Sequence, residues 1–110
     1  MTPGRTDLQR RERLRSDALP LIQARPKKVE WWAVRVTIRR ALGKRPLDIE
    51  NTLKPILDAF CARQVRRDKS RYPAAGLYED DSIDHVRVIQ VEGHRGPSDE
   101  TQIQILACVA

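Results

Sequence analysis

The chain has 110 residues, 40% hydrophobic and 33% charged, with a formal net charge of +6. That length predicts one small domain, which buries only about two-thirds of its unfolded surface and so gains from self-association. No apolar run approaches the roughly 18 residues of a membrane span, and Cys61 and Cys108, without CxxC or Cys/His spacing, exclude a disulfide framework.

The polar, Arg-rich start has no apolar stretch of the kind a secretory leader needs, so a cytoplasmic location is expected. A basic excess in a small domain points to a polyanionic partner, most often nucleic acid. The charge is also unevenly spread. From Arg5 to Arg45 cations far outnumber acids, while acids gather at 48–58, 79–84 and 92–100.

Residues 1–24 read as a basic helix or arm. Asp7 to Leu19 predicts a helix capped by Thr6 or Asp7 and stopped by Pro20. Its apolar residues (Leu8, Leu14, Ala18, Leu19) are sparse among Arg10, Arg11, Arg13 and Arg15. Such a helix is marginal alone: weak docking, contact with nucleic acid, mobility without a ligand and a solvated arm with no contact role all fit the pattern. Val29 to Arg39 then predicts a strand with Trp32, Val34, Val36 and Ile38 facing the core. Ala33, Arg35, Thr37 and Arg39 take the other face, and Trp31 points to a second surface there, for a packed helix, a subunit interface or base stacking. Arg40 to Pro46 forms a turn around Gly43.

The stretch Asp48 to Asp58 carries the chemistry. Asp48 and Glu50 lie two positions apart, which in an extended segment points both carboxylates to one side. A helix capped by Asn51 or Thr52 is expected to follow, with Lys54 in its first turn and Pro55 tolerated near its start. Leu53, Ile56, Leu57 and Phe60 form its buried face, and helical propensity runs to about Arg66. Residues 61–77 read as a long basic loop. After Asp80-Asp81, Ile83 to Val91 predicts a strand with Val86 and Val88 on one face and Ile89 and Val91 on the other. A turn at Gly93 to Pro97 leads to a last strand, Thr101 to Val109, and the two strands read as a hairpin. The fold expected is α+β, a small mixed sheet packed with a central helix.

Carboxylates clustered in a basic chain suit a hard cation such as Mg²⁺ or Mn²⁺, which takes oxygen ligands and promotes phosphodiester hydrolysis. Asp48, Glu50 and Asp81 are the candidate ligands, supported by Asp80 and Asp58, with Lys54 placed to offset charge on a phosphate. Arg39, Arg40, Lys44, Arg45, Arg66, Arg67, Lys69 and Arg71 are the candidate nucleic-acid contacts. The plain alternatives are that Asp48 and Glu50 serve the helix dipole and that Asp80-Asp81 is a turn. His85 and His94 are isolated, and there is no glycine-rich phosphate loop or nucleophile triad, so no organic cofactor is expected.

The run Asp48-Ile-Glu50-Asn51-Thr-Leu-Lys54-Pro-Ile-Leu-Asp58-Ala59-Phe60, followed by Glu-Asp80-Asp81, resembles the RusA family of Holliday junction resolvases. The resemblance spans roughly residues 30 to 109. It implies a metal-dependent endonuclease that nicks branched DNA as a homodimer. Asp48, Glu50 and Asp81 would then bind the metal, with Lys54 as the catalytic lysine and Asp80 in support. The chain departs from the family pattern in three ways. Glu50 stands where the family has a second Asp, the interval from Asp58 to Asp80 is about a dozen residues longer, and the family's first strand has no clear counterpart. The alternative is a RusA-like module that binds nucleic acid without cutting it.

Overall fold

The computed structural model describes residues 3–109, and side chains from Thr6 onward. The domain is α+β, a three-stranded mixed sheet with its helices packed on one face. Strand β1 (Trp31–Ala41) lies at the centre, with Trp32, Val34, Val36 and Ile38 buried as the period-two pattern requires. β2 (Val86–Gly96) runs parallel to it and β3 (Glu100–Cys108) antiparallel, in the order β2-β1-β3.

The last two strands therefore do not form the expected hairpin. The link 97–99 passes over the end of β1, where Asp99 accepts the Ala41 amide at 2.9 Å and pairs with Arg40 and Lys44. Those contacts hold the link across the central strand, so β2 and β3 flank it. Residues 93–96, expected in a turn, belong to β2. A second difference arises at Arg87. Trp32 pairs with Val86 but Ala33 pairs with Val88, so Arg87 is an extra residue in the ladder. The bulge turns Val86, Ile89 and Val91 to the helix side together, opposite Trp32, Val34 and Val36, whereas strict alternation would set Val86 apart.

The crossover from β1 to β2 carries helix α2 (Ile49–Ala59), helix α3 (Ala62–Asp68) and a 3₁₀ turn at Pro73–Ala75. The apolar periodicity predicts one helix to about Arg66, but the chain breaks after Phe60. Cys61 is extended and bridges Tyr78 in parallel, while Ala62 donates to the Tyr78 carbonyl at 2.7 Å. Burying Phe60 and Cys61 beneath Tyr78 outweighs continuing the helix. Gly76 stands against the start of α3 with no room for a side chain, since an added Cβ would lie 2.9 Å from Ala62 Cα. Residues 61–77 are thus largely ordered structure, and Lys69 ends α3 in the left-handed conformation, φ 52°.

Helix α1 (Pro3–Gln23) runs through Pro20 rather than stopping there. Ile22, only 5% exposed, sits in the core beyond the proline, so tertiary packing overrides the local signal. Docking is also firmer than the sparse apolar face suggests. Arg15 is fully buried, donates to the Ala59 carbonyl at 2.6 Å and pairs with Asp68 at 3.0 Å. Arg11 grips the same carboxylate through two hydrogen bonds of 2.7 and 2.8 Å. Glu12 accepts from Ser70, Arg15 and the Arg71 amide. A polar seam therefore ties α1 to the end of α3.

The sheet face away from the helices is not covered among the described residues. Arg35 and Arg39 are exposed there, Trp31 is half-buried, and Val88 and Leu106 are about half exposed. No helix among the described residues is long and apolar enough to cross a membrane. Cys61 is buried and Cys108 partly so, and both are free thiols.

Candidate functional site

Helix α2 begins earlier than expected, and this changes what its acids do. Asp48 is the N-cap, its carboxylate accepting the Asn51 amide at 3.1 Å while Thr52 Oγ1 donates to the Asp48 carbonyl. Glu50 lies inside the first turn and Pro55 in the helix interior. Asp48 is extended and Ile49 is the first helical residue, so the two acids divide between the cap and the first turn.

A different set shares a face. Glu50, Lys54 and Asp58 recur at four-residue spacing along α2, one above another. Asp81, in the turn before β2, approaches the lower end of that row closely enough for its charge to act on Asp58. Burial holds the Asp58 carboxyl above the usual carboxylate range, and the Asp81 charge adds to that effect against the pull of Lys54 and Arg11. Buried Tyr78 backs this corner, its hydroxyl donating to the Leu57 carbonyl at 2.5 Å. Burial pushes the Tyr78 phenol up, and Asp81 and Asp58 contribute, so the phenol stays a neutral hydrogen-bond donor.

The neighbouring acids are occupied. Asp80 accepts the Ser82 amide at 3.0 Å and pairs with Arg63 at 3.6 Å, while Glu79 pairs with Arg66. The hydrogen bonds from Ser82 hold the Asp80 carboxyl below its usual range. Asp80 thus fixes the turn that presents Asp81. Together these contacts fasten the turn to α3, whose first residues also hold the Tyr78 and Glu79 carbonyls through the Ala62 and Arg63 amides.

Asp48 faces a different space. It lines a groove of about 530 Å³ with Asn51, Thr52, Pro55, Arg10 and Arg13, between α1, α2 and β3. Sequence reasoning did not assign Arg10 and Arg13 to any site. Their recurrence with Leu14 and Asp17 on one face of α1 is the signal that locates them. Buried Arg15 was missed likewise, although it falls on the stripe of Leu8, Arg11, Ala18 and Ile22.

The eight expected nucleic-acid contacts separate into groups. Arg40 and Lys44 are spent on Asp99, and Arg66 on Glu79. Arg39 is exposed on the open sheet face and Arg45 at the end of β1, while Arg67, Lys69 and Arg71 are exposed on and after α3. These last five carry no ion pair among the described residues.

Whether the acids suit a divalent cation turns on donor chemistry and on convergence. The donors are right for a hard cation, because every candidate is a carboxylate. The Asp81 charge reaches Asp58. Convergence stops at that pair: among the described residues no three His, Cys, Asp or Glu side chains come together as a metal cluster. No protein-family model matches the chain, and no curated protein or solved structure matches it either.

Proposed function

We propose that the chain is a metal-dependent endonuclease of the RusA type, acting on branched DNA as a homodimer. The observation that carries this reading is the approach of Asp81, in the turn before β2, to Asp58 on the face of α2 that also carries Lys54. It brings two acids from distant segments together in a chain of net charge +6. Asp58 and Asp81 are the carboxylates best placed to hold Mg²⁺ or Mn²⁺, with Glu50 about two turns away on the same helical face. A bound cation there supplies Lewis acidity toward a phosphodiester and lowers the pKa of its own water. Lys54, exposed between Glu50 and Asp58, neutralises charge that builds on the phosphate. Asp80 orients the turn that carries Asp81 through its bond to the Ser82 amide. The cations free of ion pairs, Arg39, Arg45, Arg67, Lys69 and Arg71, hold the DNA backbone.

The second reading, a RusA-like module that binds nucleic acid without cutting, draws on two observations. Asp48 is committed to its cap, and among the described residues no three acids converge. Incubation of a synthetic four-way junction with Mg²⁺ or Mn²⁺ separates the two. The nuclease reading expects paired nicks in the junction, little cutting of linear duplex, and loss of cutting in Asp81→Asn and Asp58→Asn. Salt-sensitive junction binding with no cutting in either metal would leave the binding module standing instead.

A further inference from the structure

Besides the groove at Asp48, another of about 530 Å³ runs between α1 and the segment that follows α3. Its volume falls within the roughly 300–1,000 Å³ of sites that take small organic ligands. Arg13 of α1 lines one wall, and Lys69, Arg71 and Tyr72 line the other. The second wall is held in place. Lys69 is fixed in the left-handed conformation at the end of α3, and Glu12 accepts from Ser70 and from the Arg71 amide. Ser70 Oγ in turn accepts the Tyr72 amide at 3.0 Å. The charge left over is positive. Glu12 and Asp68 also line the groove, but Arg15 and Arg11 match them. Arg13, Lys69 and Arg71 are exposed and carry no ion pair among the described residues, against Asp17 as the one unmatched acid of the lining. Both walls lie where the chain departs from the RusA pattern: α1 precedes the matching stretch, and residues 68–72 fall in the longer interval between Asp58 and Asp80.

We propose that this groove holds one unpaired nucleotide of the DNA, its base stacked on Tyr72 and its flanking phosphates on Arg13, Lys69 and Arg71. Cations left free of acids favour an anion. An aromatic ring set among them offers a face on which any base can stack, the pairing of features that grips single strands. A base inside a duplex already has neighbours on both faces, so only an unpaired or extruded one reaches the ring. The groove also adjoins the acidic corner, since Asp68 in its lining is near enough for its charge to act on Asp58. The chain therefore prefers branches with an unpaired nucleotide at the crossing over fully paired ones. This deepens the nuclease reading and rests on it for the choice of DNA.

Fluorescence anisotropy in EDTA tests it, with a four-way junction carrying unpaired nucleotides at the crossing set against the same junction fully paired. Circular dichroism confirms that each variant is folded. The wild-type chain is expected to bind the unpaired junction about ten-fold more tightly. Tyr72→Ala should bring the two affinities together by weakening the unpaired junction alone, and Tyr72→Phe, which keeps the ring, should retain the difference. Tyr72 also packs against the core, so if Tyr72→Ala fails to fold, Arg13→Glu decides. That variant sets a carboxylate where a phosphate belongs, at an exposed position of α1, and should likewise bring the ratio toward one. Equal affinities in the wild type overturn the proposal, and so does a difference that Tyr72→Ala and Arg13→Glu leave unchanged. Cutting in Mn²⁺ is read separately. A preference without cutting supports the groove and counts against the nuclease alone, whereas cutting without a preference overturns the groove and leaves the nuclease standing.

Discussion

The polar seam between α1 and α3 and the acidic corner between α2 and β2 use the same residue types to opposite ends. In the seam Asp68 is 5% exposed, and burial alone would raise its pKa. Hydrogen bonds from Arg11, Gln64 and Arg15 outweigh that and hold it below the usual range. In the corner burial raises the Asp58 pKa, and the charges of Asp81 and Asp68 add to it against the opposing pull of Lys54 and Arg11. One carboxylate is matched in charge by the fold. The other is not. The contrast separates an acid that holds the domain together from one whose charge the fold leaves unmatched.

Removing the seam acid should do the most damage. Asp68→Ala takes a carboxylate from Arg11 and leaves the fully buried Arg15, whose Nη2 already lacks a partner, with Glu12 as its one remaining carboxylate. A loss of about 3 to 5 kcal/mol in urea unfolding is expected. Acid should open the same seam more gently. Because the folded pKa of Asp68 lies below its ordinary value of 3.8, its contribution is complete above about pH 4 and fades as pH falls through the folded value. Glu12, lowered likewise by its bonds to Ser70, Arg15 and the Arg71 amide, acts in the same direction. Loss of α1 helicity and exposure of Phe60 in that window, followed by circular dichroism and near-ultraviolet absorbance, would check it.

Asp48 stands between the two classes, since it caps α2 and also lines the Arg10 groove. Asp48→Ala should cost about 1 kcal/mol of stability, as lost N-caps do. Asp48→Asn keeps a capping oxygen and should cost little. If cleavage nevertheless falls in Asp48→Asn, the carboxylate has a role beyond its cap. The smallest stability effect belongs to the corner. A carboxyl with a raised folded pKa favours the folded state only below its unfolded value, and that contribution is lost as pH rises through the folded one. At pH 7 Asp58→Asn should therefore unfold at the same urea concentration as wild type or slightly higher, while cleavage is lost. A large destabilisation would move Asp58 into the structural class.

Parts of this contrast were legible in the sequence. The buried face of β1 follows from Trp32, Val34, Val36 and Ile38 because one covered face of a sheet imposes strict alternation. Lys54, Asp58 and Asp81 were singled out because acids cluster inside an otherwise basic chain. What stayed hidden depends on contacts between distant segments. The short link at 97–99 looks like a hairpin turn until Asp99 is seen tied to the Ala41 amide. The break after Phe60 interrupts no periodicity, because the Cys61–Tyr78 bridge makes it. The Arg87 bulge shifts register by one residue that no composition rule marks. Asp48 could be read as a ligand because capping and ligation use the same side chain, and only the start of α2 separates the two.

Paramagnetic broadening of backbone amide resonances by Mn²⁺ tests the central contrast most directly, because one titration reads both regions. The account predicts that sub-stoichiometric Mn²⁺ broadens the amides of Lys54, Asp58 and Asp81 first, spares Glu12, Gln64 and Asp68, and loses its selectivity in Asp81→Asn. Broadening spread evenly over the exposed carboxylates, or centred on the α1–α3 seam, would contradict it.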